Sequence, residues 1–155
     1  MTFLKRFARE GVLQNMPYAT SALSEICIHC KDQPCIAHCP ENIITLNPDN
    51  LPTLDFSENG CVFCGKCVEI CFEHNGEHTG FQREREQTQV IMKISVNACL
   101  AWNKSICYSC KDVCPKEIKY LGMFYPEIIS CNGCGLCLSR CPNGAIKIER
   151  MKDLL

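Results

Sequence analysis

The residues of this chain that could do chemistry are its cysteines. Sixteen occur in 155 residues, far above ordinary usage, and they fall into four sets of four. The first set is Cys27-x2-Cys30-x4-Cys35-x3-Cys39 followed by Pro40. The second is Cys61-x2-Cys64-x2-Cys67-x3-Cys71, with Phe72 in the proline position. The third is Cys99-x7-Cys107-x2-Cys110-x3-Cys114 with Pro115, and the fourth Cys131-x2-Cys134-x2-Cys137-x3-Cys141 with Pro142. Thiols at this density support three chemistries: a disulfide framework, zinc sites or iron–sulfur clusters.

The spacing separates these readings. Zinc ribbons pair two C-x2-C turns across a longer stretch. Three cysteines within seven residues, occurring twice here, do not suit one zinc tetrahedron. A disulfide framework belongs to an oxidising compartment, and no secretory segment is legible at the start, where Lys5 and Arg6 are followed by no apolar run. A cubane needs four thiolates converging on a compact core. Three cysteines spaced by two wrap it with one loop, and a fourth, three residues on and before proline, ligates the other cluster of a pair. On that logic Cys27, Cys30, Cys35 and Cys71 form cluster 1, and Cys61, Cys64, Cys67 and Cys39 form cluster 2. Cys99, Cys107, Cys110 and Cys141 form cluster 3, and Cys131, Cys134, Cys137 and Cys114 form cluster 4. The expected cofactors are therefore four [4Fe–4S] clusters, with every cysteine used. Proline turns the chain sharply after the ligand, so Phe72 marks a departure in local geometry. Gly65 and Gly135, just after the second cysteine of their sets, let the backbone come close to the sulfides.

The elements that position these ligands form a repeat. Shifting the second set by 70 positions gives the fourth, and shifting Cys35 and Cys39 by 75 gives Cys110 and Cys114. Two modules follow: an N-terminal arm at 1–22, module one at 23–79, a connector with a leading strand at 80–97, module two at 98–150, and a tail at 151–155. The stretch from Glu73 to Gln89 reads as a solvated connector. Alternation over Met92–Val96 predicts a strand leading into module two. Short strands are expected at Ile44–Leu46 against Leu54–Phe56, and at Ile118–Tyr120 against Glu127–Ile129, with Ile146–Ile148 closing the last sheet. Helix is expected only for a turn or two after the third cysteine of a set, as over Cys67–Cys71. The fold class is α+β: two tandem small ferredoxin-like modules, each with two clusters, short β-hairpins and short helices. Each module has about 55 residues, too few for a hydrophobic core to suffice alone, so metal ligation is expected to supply the missing cross-links.

Other features exclude or extend functions. The net charge is −1 and no basic tract points to nucleic acid. No apolar stretch approaches the length of a membrane span. With no leader legible, the expected location is the cytoplasm, with a peripheral position at the inner face of the membrane as the other station. No leftover cysteine, carboxylate cluster or histidine cluster offers an active site, so the chain reads as an electron-transfer or assembly protein rather than an enzyme. His29 and His38 adjoin ligand cysteines, and His74 and His78 have helix-like metal spacing. All four read as surface or supporting groups, since the ligand count is complete without them. Lys66 and Lys111, beside ligand cysteines, read either as ordinary surface lysines or as charges that tune a cluster. Phe3, Leu4 and Phe7 would share an apolar edge if the arm is a short helix, with Lys5, Arg6 and Arg9 around it, which reads either as packing on module one or a frayed terminus, or as a docking site for a partner or anionic membrane surface.

Two stretches resemble the NapF-type ferredoxins, accessory proteins of periplasmic nitrate reductase. One is Asn97-Ala-Cys99-Leu-Ala-Trp102 with the seven-residue gap to Cys107. The other is Cys131-Asn-Gly-Cys-Gly-Leu-Cys137 with Cys141-Pro-Asn-Gly-Ala-Ile146. The resemblance covers roughly residues 23–150. It implies a protein that binds the cytoplasmic precursor of the nitrate reductase catalytic subunit and supports maturation of that subunit's iron–sulfur cluster. The other role it implies is a polyferredoxin electron carrier serving a membrane-associated redox partner.

Overall fold

The computed structural model describes residues 15–77 and 79–151. The arm with Phe3, Leu4 and Phe7, as well as His78, lies outside them. In chain order the elements are α1 (Leu23–His29), α2 (Cys35–His38), β1 (Ile44–Leu46), β2 (Pro52–Leu54), α3 (Lys66–Asn75), β3 (Val90–Ile94), α4 (Ser109–Val113), β4 (Glu117–Leu121), β5 (Phe124–Ser130), α5 (Leu136–Arg140) and β6 (Ile146–Arg150). Among the described residues they form an α+β arrangement of short helices and three two-stranded antiparallel sheets, β1–β2, β3–β6 and β4–β5. The described residues divide into two compact units, one reaching to residue 55 and resuming over 61–89, the other made of 56–60 and the described residues from 90 onward.

In the first unit α2 packs against α3, and Met16, Leu23, Ile43, Leu51, Leu54 and Val68 are buried. The β1–β2 hairpin pairs Ile44 with Leu54 and Leu46 with Pro52, two residues earlier than the expected second strand. Asn47 sets this register. Its side-chain oxygen accepts the N–H groups of Asp49 and Leu51 at 3.1 and 2.8 Å, and its own N–H donates to Leu51 O at 3.0 Å. The turn therefore closes at Leu51, and Pro52 opens the return strand at a position where its missing N–H costs nothing.

The stretch expected to be a solvated connector is partly built into this unit. Helix α3 runs on through Asn75 and stops at Gly76. Beyond it, Thr20 N–H donates to Gly80 O and Gln82 N–H to Tyr18 O, both at 2.8 Å, while Tyr18 N–H donates to Gln87 O at 3.3 Å. The physical reason is burial. Tyr18, Ala19 and Leu23 need cover, and Gly80 at φ +51 lets its backbone come so close to Leu23 that a Cβ would sit 2.6 Å from its Cα. The charges of this stretch stay outside, as Arg83 does at 4.0 Å from Glu69.

In the second unit α4 packs against α5. The β4–β5 hairpin forms from the two expected strands, with Ile118 opposite Ile128 and Lys119 opposite Glu127. The last strand does not join it: β6 pairs with β3 over Val90–Ile94, Ile94 opposite Ile146. Val90, Met92 and Ile146 are buried, so the alternation seen in sequence turns one face of β3 inward. Helix also occurs at α1, ahead of any completed cysteine turn. Seven residues there bury Leu23 and leave much of the rest half-exposed.

Gly65 and Gly135 occupy the same left-handed conformation, φ +76, at the N-caps of α3 and α5. A Cβ on Gly65 would meet nothing, whereas one on Gly135 would overlap the buried ring of Phe56. Gly65→Ala is therefore expected to cost only the left-handed strain, about 1–2 kcal/mol. Gly135→Ala adds an overpacking cost of about 1–3 kcal/mol. Anaerobic thermal melts of the two variants should rank them in that order, and equal melting temperatures would contradict it.

Candidate metal centres

Each unit contains two cavities lined by cysteine. In the first unit, Cys27, Cys30, Cys35 and Cys71 line one void, and Cys39, Cys61, Cys64 and Cys67 line another. In the second unit, Cys99, Cys107, Cys110 and Cys141 line a third, and Cys114, Cys131, Cys134 and Cys137 a fourth. The sixteen cysteines thus stand in four groups of four, one around each cavity. The cysteines of a group surround a void rather than a point. Among the described residues no three His, Cys, Asp or Glu side chains converge tightly enough for a single ion.

Short helices produce the crossing. Cys35 opens α2 and Cys39 follows its end, while Cys67 and Cys71 both lie on α3. Cys110 lies near the start of α4 and Cys114 just past its end, and Cys137 and Cys141 stand in the same way on α5. An i to i+4 step advances about 6 Å along a helix, so each helix hands one thiol to each of two neighbouring cavities. Cys39, Cys114 and Cys141 then leave their helices in extended conformation, ψ 115, 120 and 116, which the proline after each one favours.

The cavities are lined by more than cysteine. Their other lining is largely apolar, with Ile43, Leu54 and Val62 around the second void and Ile94, Leu100 and Ala145 around the third. Burial comes first, and repulsion from neighbouring cysteines second, in pushing the thiols upward: Cys27 to about 12, Cys35 to about 11, Cys67 and Cys137 to about 12. Several thiolates crowded in one such pocket need compensating metal charge. Directed N–H groups meet the sulfurs as well. Phe63 N–H donates to Cys61 Sγ at 3.4 Å, Gly133 and Met92 to Cys131 Sγ at 3.3 and 3.4 Å, and Ala145 to Cys141 Sγ at 3.2 Å. The donor set, the dry lining and the N–H groups fit iron–sulfur clusters.

Phe63 and Gly133 stand 70 positions apart in the repeat and share the left-handed conformation, φ 51 and 71. Glycine adopts it freely, whereas for phenylalanine it costs about 1–2 kcal/mol. Tyr18 offsets that cost. Its hydroxyl donates to Phe63 O at 2.6 Å, and the two rings meet edge to face at 5.8 Å. Burial first, then Glu86 and Cys61, push the Tyr18 phenol up to about 12, so it remains a donor at any physiological pH. Spacing could not reveal Tyr18, which lies 45 residues from its partner. Tyr120 is a second such residue, its hydroxyl 2.8 Å from Cys107 O and 3.7 Å from Cys110 Sγ.

The remaining sequence candidates take other places. His38 Nδ1 lies 2.8 Å from Pro34 O in its own helical turn, and His74 Nε2 lies 3.7 Å from Asp32. No histidine among the described residues lines any of the four voids. Lys66 is exposed at the start of α3. Lys111 Nζ lies 5.5 Å over the ring of Tyr120, which places its charge beside the third set.

Comparison with known proteins agrees with this geometry. Residues 26–75 match the model of the 4Fe-4S dicluster domain, spanning all eight cysteines of the first unit. Residues 130–147 match the 4Fe-4S binding domain. The chain is 31% identical over 134 residues to the ferredoxin-type protein NapF of Escherichia coli K12, covering 81% of this chain and 79% of that one. It is 31% identical over 135 residues to the ferredoxin-type protein NapF of Haemophilus influenzae, covering 82% and 72%. A shorter likeness, 29% over 70 residues, links 45% of this chain to 30% of a tetrathionate reductase subunit of Archaeoglobus fulgidus. No solved structure matches. No helix among the described residues is long and apolar enough to cross a membrane.

Proposed function

We propose that this chain, which belongs to the NapF-type ferredoxin family, holds four [4Fe–4S] clusters and uses them in assembling the iron–sulfur cluster of a periplasmic nitrate reductase. In this reading it binds the catalytic subunit as a precursor, before export. The observation that carries the proposal is family likeness over four-fifths of the chain together with four cavities of four cysteines each. Bound clusters of this kind supply one-electron transfer or, where one is labile, iron and sulfide.

The protein's own contribution is positional. Paired cysteines on α2 and α3, and on α4 and α5, hold two sites a helical turn apart within each unit. N–H groups favour the anionic thiolates, and bound metal offsets the cost of holding them in an apolar lining. All sixteen cysteines serve as ligands on this view, which makes the chain an accessory protein rather than an enzyme. The partial likeness to the tetrathionate reductase subunit favours one other reading, a polyferredoxin carrying electrons in a respiratory chain.

A deletion strain separates the two. It would carry either the wild-type protein or a Cys131→Ser/Cys134→Ser form, and nitrate reductase would be recovered from the periplasm. The assembly role predicts that the enzyme from the deletion strain and from the double variant has several-fold lower cluster content and activity. Fully loaded, active enzyme together with a fall in electron flow to nitrate would replace the assembly role by the carrier role.

A further inference from the structure

Cys71 departs from the pattern of the other sets, because the residue after it is Phe72 rather than proline. Its counterpart 70 positions on is Cys141, followed by Pro142. After Cys141 the helix ends, the chain extends, and the backbone N–H of Ala145 folds back to donate to Cys141 Sγ at 3.2 Å. After Cys71 no proline interrupts the ladder, so α3 continues a full turn to Asn75. The backbone N–H four residues beyond Cys71 is then directed along the helix and is not aimed at the sulfur. Asn75, the counterpart of Ala145, lies one helical turn from Cys71 on the same face. Its side-chain amide takes over: Nδ2 donates to Cys71 Sγ at 3.4 Å and to Cys71 O at 3.3 Å. Asn75 also lines the first void.

We propose that Asn75 is a tuning residue for the first cluster, supplying from its side chain the sulfur hydrogen bond that the second unit obtains from the backbone. The inference rests on Cys27, Cys30, Cys35 and Cys71 holding a cluster. Reduction adds one electron, supplied in a titration by dithionite, and so increases the negative charge shared by the ligand sulfurs. A hydrogen bond to Cys71 Sγ is stronger in that state and makes reduction easier. Asparagine suits the position: its amide donates without carrying charge, and Cys71 O anchors the same nitrogen. A side-chain donor is open to change by one substitution, whereas a backbone donor is not, so the potential of this site can be set independently of its fold.

The test is an anaerobic redox titration followed by EPR on wild-type protein and on Asn75→Leu, which keeps the size and removes the donor. Iron and sulfide are measured on the same samples. The expected result is full loading, with one signal about three- to tenfold less reduced at its wild-type midpoint, a tenfold change being about 59 mV for one electron, and the other signals unmoved. Asn75→Asp, closest in shape and carrying a carboxylate, should shift the same signal further at pH 8, and it provides the measurement if the leucine form loads poorly. Unchanged midpoints in a fully loaded variant would overturn the role of Asn75. Wild-type protein that reproducibly holds about 12 iron, with no signal lost in Cys71→Ser, would instead overturn the cluster assignment on which the inference rests.

Discussion

Cys39→Ser is expected to remove the cluster of Cys61, Cys64 and Cys67, and to leave that of its sequence neighbours Cys27, Cys30 and Cys35 in place. Iron should fall by about a quarter, from about 16 to about 12 per chain, since one cubane holds four. The reason lies in α2. Cys35 at its start lines the first void, and Cys39 beyond its end lines the second. Serine offers an alkoxide in place of a soft thiolate, and iron–sulfur sites select for sulfur. The reciprocal variant, Cys71→Ser, should spare the second cluster and empty the first, because Cys71 lies on the α3 face toward the other void. EPR of single-variant proteins, compared signal by signal, checks both. Loss of the Cys27–Cys35 signals in Cys39→Ser would mean that each set is self-contained.

Removing iron with a chelator under anaerobic conditions is expected to unfold the chain rather than to leave an intact metal-free fold. In the second unit the packed cluster of Cys99, Ala101 and Ala145, with Ile94, Ala98 and Trp102 against it, itself includes a ligand cysteine. The sheets have two strands each, and two strands alone are marginal in water. The cysteines around the four voids become the cross-links of the fold once clusters are bound. The thiols also resist holding charge in these pockets, Cys67 and Cys137 being pushed to about 12. Metal-free protein at pH 7 would therefore bury neutral thiols around voids that are costly to keep open. Circular dichroism should show most helical signal lost and no cooperative melt. A metal-free sample melting within about 5 °C of the loaded one, a shift on the scale of about 1 kcal/mol, would contradict this.

What could be read without the fold was set by local spacing. The x2-x2-x3 steps place cysteines around one turn of chain, and such geometry depends on neighbours only a few residues away. The four sets and the repeat at 70 positions were legible for that reason, as were the hairpin over Ile118–Ile129 and the alternation leading into β3. The fourth cysteine of each group was different. Cys39 lies closer in sequence to Cys35 than to Cys61, so grouping it with Cys61, Cys64 and Cys67 required the crossed logic of two-cluster domains.

The tertiary structure decided what depends on distant partners. The register of β1–β2 followed from the side chain of Asn47 closing its turn, and the partner of β6 from which face of β3 had to be buried. The segment Gly80–Gln89, polar enough to read as a solvated connector, was drawn onto Tyr18 and Thr20 by backbone hydrogen bonds that composition does not encode. Tyr18 reached Phe63 across 45 residues to hold a strained ligand loop. The sequence alone determined which residues bear the chemistry, because thiol type and short spacing are local properties. Only the folded chain decided which N–H groups and hydroxyls face each sulfur, and Phe72 shows the dependence: by leaving α3 uninterrupted, one residue passed a hydrogen bond from the backbone to Asn75.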